Sequence, residues 1–320
     1  MSVLEFRPEG IYCSQGDFYI DPWRPVDKAL ITHGHADHAR FGSKKYLCTD
    51  IAAPVIRHRL GNVAIETIPY EKELSLNGVN VSFYPAGHVP GSAQILIEIK
   101  GERWVVSGDY KVVDDGLSTP FKPIKCHSFI SECTFGLPAF NWLPQEQVFK
   151  EINSWWHQCI SDGLTPILAA YGLGKAQRLI AGLDTNIGPI LTHGAIEKTN
   201  QIMRDQKIAI PETFLVTSKL DLANFKNAIV LAPPSALSTS WVKKFGKISK
   251  TYKNGKTVEI QDNRKKWSVR ISNDILQLRK DENSLEIIND TKKRDDMCDC
   301  LLMTITFSYL YFVNKTKFSY

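Results

Sequence analysis

Short apolar runs broken by turn residues fill the first 130 positions. Residues 18–20, 28–32, 79–84, 93–99 and 103–107 each read as strands. Asn77-Gly78 and Lys100-Gly101 lie between such runs, where a tight hairpin needs residues that tolerate positive φ. Residues 52–60 predict a helix with Pro54 in its first turn, where a missing N–H costs little. The spacing changes from residue 144. Val148, Ile152, Trp155 and Trp156 recur at helical intervals, and Pro144 and Glu146 suit a first turn, so 144–165 predicts a helix. A strand over 165–170, a glycine-containing turn over 171–174 and a helix over 175–183 follow, with short strands at 189–191 and 228–232. The order strand, helix, strand predicts a βαβ arrangement for this second segment, unlike the strand-rich start.

Composition divides the chain again near residue 240. No Ala follows Ala236, no Pro follows Pro234 and no His follows His193; Lys, Asn, Asp, Ile and Ser take over. Three stretches are therefore expected: 1–143, 144–245, and a divergent Lys/Asn-rich tail over 246–320. The formal charge of +5 is unevenly placed, with 17 Lys/Arg against 10 Asp/Glu beyond residue 240 and 22 against 24 before it. Global basicity thus gives no reason for the body to bind nucleic acid, and any phosphate-binding surface there must be local. No segment has the run of roughly 20 apolar residues that spans a bilayer. The first ten residues carry Glu5, Arg7 and Pro8 where a signal peptide would be apolar. Seven scattered cysteines without a paired framework fit a reducing compartment, and a cytoplasmic location is expected; Cys298 and Cys300 read as incidental.

The chemistry concentrates at His33-Gly34-His35-Ala36-Asp37-His38, directly after the apolar run Ala29-Leu30-Ile31. Three imidazoles and a carboxylate within six residues suit Zn²⁺ or Mn²⁺. The small Gly34 and Ala36 let a tight loop turn successive side chains toward one cavity. Two further positions offer partners: His88 in Ala86-Gly87-His88-Val89-Pro90-Gly91, and Asp109 in Ser107-Gly108-Asp109-Tyr110. Each is a ligand type beside glycine at the end of an apolar strand. Taken alone, either would read as a turn residue.

This series resembles the ligand set of the metallo-β-lactamase superfamily. The resemblance implies an α/β fold, an αββα sandwich, holding two divalent ions, Zn or Mn. It implies that His33, His35 and His88 bind one metal, that Asp37 and His38 bind the other, and that Asp109 bridges both. Asp37, Asp109 and Glu132 are then the catalytic candidates, and Asp21 matches an aspartate that supports the ligand loop from behind. Ser131-Glu132-Cys133-Thr134-Phe135-Gly136 resembles the acidic motif of the β-CASP branch, which processes nucleic acids. The block from Pro166 to Arg178 is similar to that branch's strand, glycine turn and helix, so 144–245 is expected to form a β-CASP-like α/β domain. Lys175 and Arg178 are the phosphate-binding candidates it implies. His193 reads as a turn or packing residue, and Trp142, Trp155 and Trp156 read as core before base-stacking residues.

Within the branch, residues 5–245 are most similar to the bacterial ligase-associated DNA exonucleases. That implies a metal-dependent phosphodiesterase acting on DNA, with an ATP-dependent DNA ligase and a helicase as partners and no membrane. RNA 3′-end processing nucleases and non-catalytic nucleic-acid-binding homologues are the alternatives. The match breaks near residues 245–252. The family continues toward a return to the core and two late histidines, whereas this chain runs through Asn254-Gly255-Lys256-Thr257 into the Lys/Asn-rich tail. The resemblance therefore implies a truncated or frame-altered ending, a missing C-terminal return, an incomplete second metal site and impaired turnover.

Overall fold

The structure is a computed structural model, and it describes residues 3–133 and 142–251 together with positions 276, 277, 282, 284 and 286. The motif residues 134–141, the Cys298-Cys300 pair and nearly all of the Lys/Asn-rich tail lie outside the described residues. The chain divides into two compact units, Met1–Ile130 with Pro144–Lys253, and Ser131–Leu143 with Asn254–Tyr320. Everything below concerns the first unit unless stated.

The strand-rich start forms two sheets. The first is built in chain order from β1 (Glu5–Arg7), β2 (Gly10–Cys13), β3 (Phe18–Ile20), β4 (Lys28–Leu30), β5 (Lys45–Thr49) and β6 (Ile65–Ile68). Its opening strands are antiparallel, while β3 to β6 run parallel. A short helix, α1 (Ala53–Leu60), joins β5 to β6 with Pro54 in its first turn, as the pattern requires. The second sheet has the order β11-β10-β9-β8-β7, from β7 (Glu73–Leu76), β8 (Val79–Pro85), β9 (Ala93–Ile99), β10 (Glu102–Val106) and β11 (Ser128–Ile130).

Alternation along the strands assigns the layers. Phe18, Ile20, Leu30 and Leu47 of the first sheet bury against Val79, Val81, Phe83, Ile95, Ile97 and Val106 of the second. The opposite face of the first sheet presents Ala29, Tyr46 and Cys48 to Ala53, Ile56 and Leu60 of α1. A helix layer, a sheet and a second sheet therefore stack as the α/β sandwich expected. The strand read over 28–32 ends two residues early. Ile31 N still donates to the Leu47 carbonyl, but the Thr32 carbonyl accepts from Ala93 N, so the chain has already turned toward the second sheet.

The second segment has the βαβ character that its spacing predicts. After α2 (Gln145–Ser161) come β12 (Thr165–Ala169), α3 (Lys175–Ala181), β13 (Ile190–Thr192), α4 (Gly194–Asp205), β14 (Phe214–Leu215), β15 (Ile229–Ala232) and β16 (Ile248–Thr251). The strands form one wholly parallel sheet in the order β14-β13-β15-β12-β16. Ile152 and Trp156 of α2 pack with Leu168, Leu179, Ile180 and Leu231. Trp156 is buried and its indole N–H donates to the Asn227 carbonyl at 2.9 Å, so this tryptophan is core. Trp155 is half-buried against the same core, whereas Trp142 is exposed. The α2 helix stops at Ser161, short of the expected 165, because Gly163 turns at φ 66° and Leu164 N caps the Cys159 carbonyl. His193 is the N-cap of α4: its Nδ1 accepts from Ala195 N at 3.1 Å and its ring lies edge-on to Trp241, the turn and packing role expected.

Candidate metal centre

Three loops at strand ends converge on one point. The first follows β4, where His38 N and Ala39 N both donate to the His35 carbonyl and close a tight turn over residues 35–39. The second follows β8. Ser92 clamps it, accepting at Oγ from His88 N (3.0 Å) and Val89 N (3.2 Å), while its carbonyl accepts from Ala86 N. The third follows β10. Gly108 there has φ 54°, and a Cβ on it would lie 2.6 Å from the Thr32 side chain, so only glycine lets Asp109 approach the first loop so closely.

His33 Nε2, His35 Nδ1, His88 Nε2 and an Asp109 carboxylate oxygen form the four-donor group found among the described residues, all within 4.8 Å of one another. His33 Nε2 lies 3.0 Å and His88 Nε2 3.2 Å from His35 Nδ1. Asp109 Oδ2 lies 3.6 Å from His33 Nε2 and 3.4 Å from His88 Nε2. A tetrahedron with Zn–donor bonds of about 2.0–2.1 Å has edges of about 3.3 Å. Four of the six separations lie near that value and the other two within 4.8 Å, so the four donors are close enough to share one divalent ion.

Electrostatics suits the same role. Burial pushes His33 well below the usual histidine range, reinforced by the neighbouring His38, His35 and His88. Burial also lowers His35, against the pull of the Leu173 carbonyl, and brings His88 down to about 4 despite Asp109. Neutral imidazoles offer lone pairs rather than protons, so the contacts of His33 and His88 with Asp109 are donor neighbours, not ion pairs.

The other expected ligands, Asp37 and His38, lie outside the four-donor group, with His38 beside its Asp109. Burial alone would lower His38, but hydrogen bonds to Asp109 and Asp21 outweigh it and carry the imidazolium to about 10. His38 Nε2 lies 3.1 Å from Asp109 Oδ1 and 3.8 Å from Asp37 Oδ2. Asp109 thus turns one oxygen to each group. Burial would raise the Asp109 carboxyl, but its hydrogen bond to His38 and that group's charge hold it below the usual range. The Asp37 side chain is 71% exposed, so this group faces solvent. Asp21 stands behind it at φ 42°, where Oδ2 meets His38 Nδ1 at 2.7 Å and Oδ1 accepts from Thr32 N at 2.8 Å.

The second segment reaches this centre. The Leu173 carbonyl lies 3.3 Å from His35 Nε2. Lys175 and Arg178 follow on α3; burial and their mutual repulsion lower the Lys175 ammonium, and burial lowers the Arg178 guanidinium. Arg178 Nε donates to the Gln145 side chain. Lys111 was missed by the sequence reading. Its N–H donates to the Ala86 carbonyl in the His88 loop and its Nζ pairs with buried Asp115 at 3.2 Å. Burial first, then the charge of Arg178, lowers its ammonium. The available signal was its place two residues after Asp109. Glu132, in the second unit, follows β11 by two residues, and its carbonyl accepts from Ser131 Oγ.

No protein-family model matches the chain. It is 30% identical over 239 residues to a "Probable DNA ligase" of Opitutus terrae, covering 73% of this chain and 23% of that protein. It is 28% identical over 232 residues to the endoribonuclease YSH1 of Mycosarcoma maydis, covering 57% and 26%. Over 124 residues it is 32% identical to cleavage and polyadenylation specificity factor subunit 3 of Dictyostelium discoideum, covering 38% and 16%. The chain therefore spans about a quarter or less of the length of these curated relatives. With the donors gathered at the strand ends of a two-sheet sandwich and a parallel α/β sheet joined to it, the chain belongs to the metallo-β-lactamase superfamily, in its β-CASP branch.

Proposed function

We propose that this chain is a metal-dependent phosphodiesterase, a DNA exonuclease of the ligase-associated type that acts in DNA repair. The observation that carries the reading is Asp109, whose two oxygens face two donor groups within 3.6 Å of their nitrogens. His33, His35 and His88 with Asp109 would hold one Zn or Mn ion, and Asp37 and His38 with Asp109 a second. Such ions supply Lewis-acid charge and a water of lowered pKa when bound. The residues of the chain do the rest. Asp21 locks the His38 ring through Nδ1 and leaves Nε2 facing Asp109. Lys111, Lys175 and Arg178 hold the phosphates of the substrate strand next to the His88 loop.

The similarity to a protein named DNA ligase supports the DNA reading; in that reading the partners are an ATP-dependent ligase and a helicase, and the location is the cytoplasm. The similarity to YSH1 and to a cleavage and polyadenylation factor supports a second reading, an RNA 3′-end processing nuclease. Among the described residues, no helix is long and apolar enough to cross a membrane. The test is digestion of end-labelled single-stranded DNA and RNA by the purified chain with Mn²⁺ or Zn²⁺, beside Asp109→Ala. Metal-dependent shortening of DNA that the variant abolishes is expected. Preferential internal cutting of RNA would favour the second reading, and equal cleavage by Asp109→Ala would remove the site assignment.

A further inference from the structure

The metal centre meets the second segment at a backbone carbonyl. His35 turns Nδ1 toward His33 Nε2 and His88 Nε2, and Nε2 toward the Leu173 carbonyl. A carbonyl only accepts, so Nε2 carries the hydrogen and Nδ1 keeps its lone pair for the donor cluster. The hydrogen bond on the far nitrogen of a ligating imidazole sets its tautomer and orientation. The position of the Leu173 carbonyl therefore matters to the metal.

One buried side chain spans both flanks of Leu173. Gln177 Oε1 accepts from Gly174 N at 2.8 Å, while Gln177 Nε2 donates to the Gly172 carbonyl at 3.0 Å and to Asn200 Oδ1 at 2.8 Å. Asn200, on α4, is anchored in turn: its Nδ2 donates to Thr213 Oγ1 at 3.2 Å and to Glu197 Oε2 at 3.3 Å. Gln177 and Asn200 are both fully buried. The turn is also seated on the His88 loop, because a Cβ at Gly174 (φ 84°) would fall 2.4 Å from Val89. A helix cap accounts for the bond to Gly174 N alone. The arm to Gly172 and Asn200 lies beyond what capping α3 requires, and it clamps the turn from its other side.

We propose that Gln177 is a positioning residue for the four-donor group, holding the 172–174 turn so that the Leu173 carbonyl keeps His35 in the tautomer that ligates through Nδ1. The proposal rests on reading His33, His35, His88 and Asp109 as a metal site. Replacing Gln177 with an apolar side chain of similar length leaves Gly174 N, the Gly172 carbonyl and Asn200 Oδ1 without this partner, and the turn shifts to satisfy them.

The test measures zinc affinity of the full chain by competition with a chromogenic chelator, without substrate. Gln177→Met is expected to stay folded and to bind its tightest equivalent about 10–100-fold more weakly, the usual cost of losing support behind a ligand. Leu183→Ala, a cavity in the same core away from the turn, is expected to keep the wild-type affinity. Wild-type affinity in folded Gln177→Met, or an equal loss in Leu183→Ala, overturns the proposal and leaves the metal reading standing. A wild-type chain that binds no zinc overturns both. If Gln177→Met does not fold, nitrogen-15 histidine spectra of the zinc-loaded wild-type chain decide. A protonated, slowly exchanging Nε2 on His35 is required, and coordination through that nitrogen refutes the proposal.

Discussion

The two donor groups share Asp109 and differ in almost everything else. His33 is fully buried, and the nitrogens around it are kept neutral by burial. His38, a few residues on, has its pKa raised to about 10 by Asp109 and Asp21, beside an Asp37 that is 71% exposed, so a second ion would have to displace the proton from its Nε2. The first group is closed at His33 and draws its donors from three separate loops, but its His88 side chain, 28% exposed, is more accessible than His38 at 17%. The second group opens to solvent at Asp37. Catalytic metal sites keep an accessible position for water or substrate, and the Asp37 side is where such a position would lie.

His88→Ala should break the closed side: the tightest metal equivalent is lost and cleavage falls by about 10³-fold, the upper range for removing one strong electrostatic element. Metal analysis beside end-labelled DNA digestion checks both parts. His38→Ala should sharpen the contrast by sparing that equivalent and removing only the weaker one, with a loss of about 10²-fold. Loss of both equivalents would show that the groups are one site. The smallest effect belongs to Lys111→Ala, outside either group. It should raise KM about tenfold, near 1.4 kcal/mol, with kcat kept. A fall in kcat at constant KM would instead put Lys111 against the reacting phosphate.

The elements that sequence spacing revealed are those whose buried faces are mostly apolar. Phe18–Ile20 and Ala93–Ile99 match their predicted strands, and the helix at Ala53–Leu60 differs from its predicted start by one residue. The helix over Gly194–Asp205 escaped the same reading for a physical reason. Its buried face is Ile196, Thr199, Asn200 and Met203, half of it polar, because Asn200 serves the Gln177 bridge and Glu197 gathers Thr192, Thr213 and Arg204. A hydrophobic stripe cannot report a face buried through hydrogen bonds. The strands Lys45–Thr49, set between Lys44 and Asp50, and Ile65–Ile68, interrupted by Glu66, are short, and they become strands through parallel pairing of Lys45–Thr49 with both Ile65–Ile68 and Lys28–Leu30.

By itself the sequence determined the candidate donor types. His33, His35, Asp37, His38, His88 and Asp109 are legible because imidazole and carboxylate groups packed between small residues at strand ends have few other uses. Only the tertiary structure decided which nitrogen of each ring faces its neighbours, that Asp109 turns its oxygens to both sides, that Lys111 adjoins the His88 loop, that the Leu173 carbonyl meets His35 and that Gln177 bridges the turn around it. Those are distances between residues far apart in the chain, from 35 to 173 and from 177 to 200. Side-chain chemistry is written residue by residue, but a tautomer or a bridging contact exists only once packing brings distant backbone and side-chain groups within about 3 Å of each other.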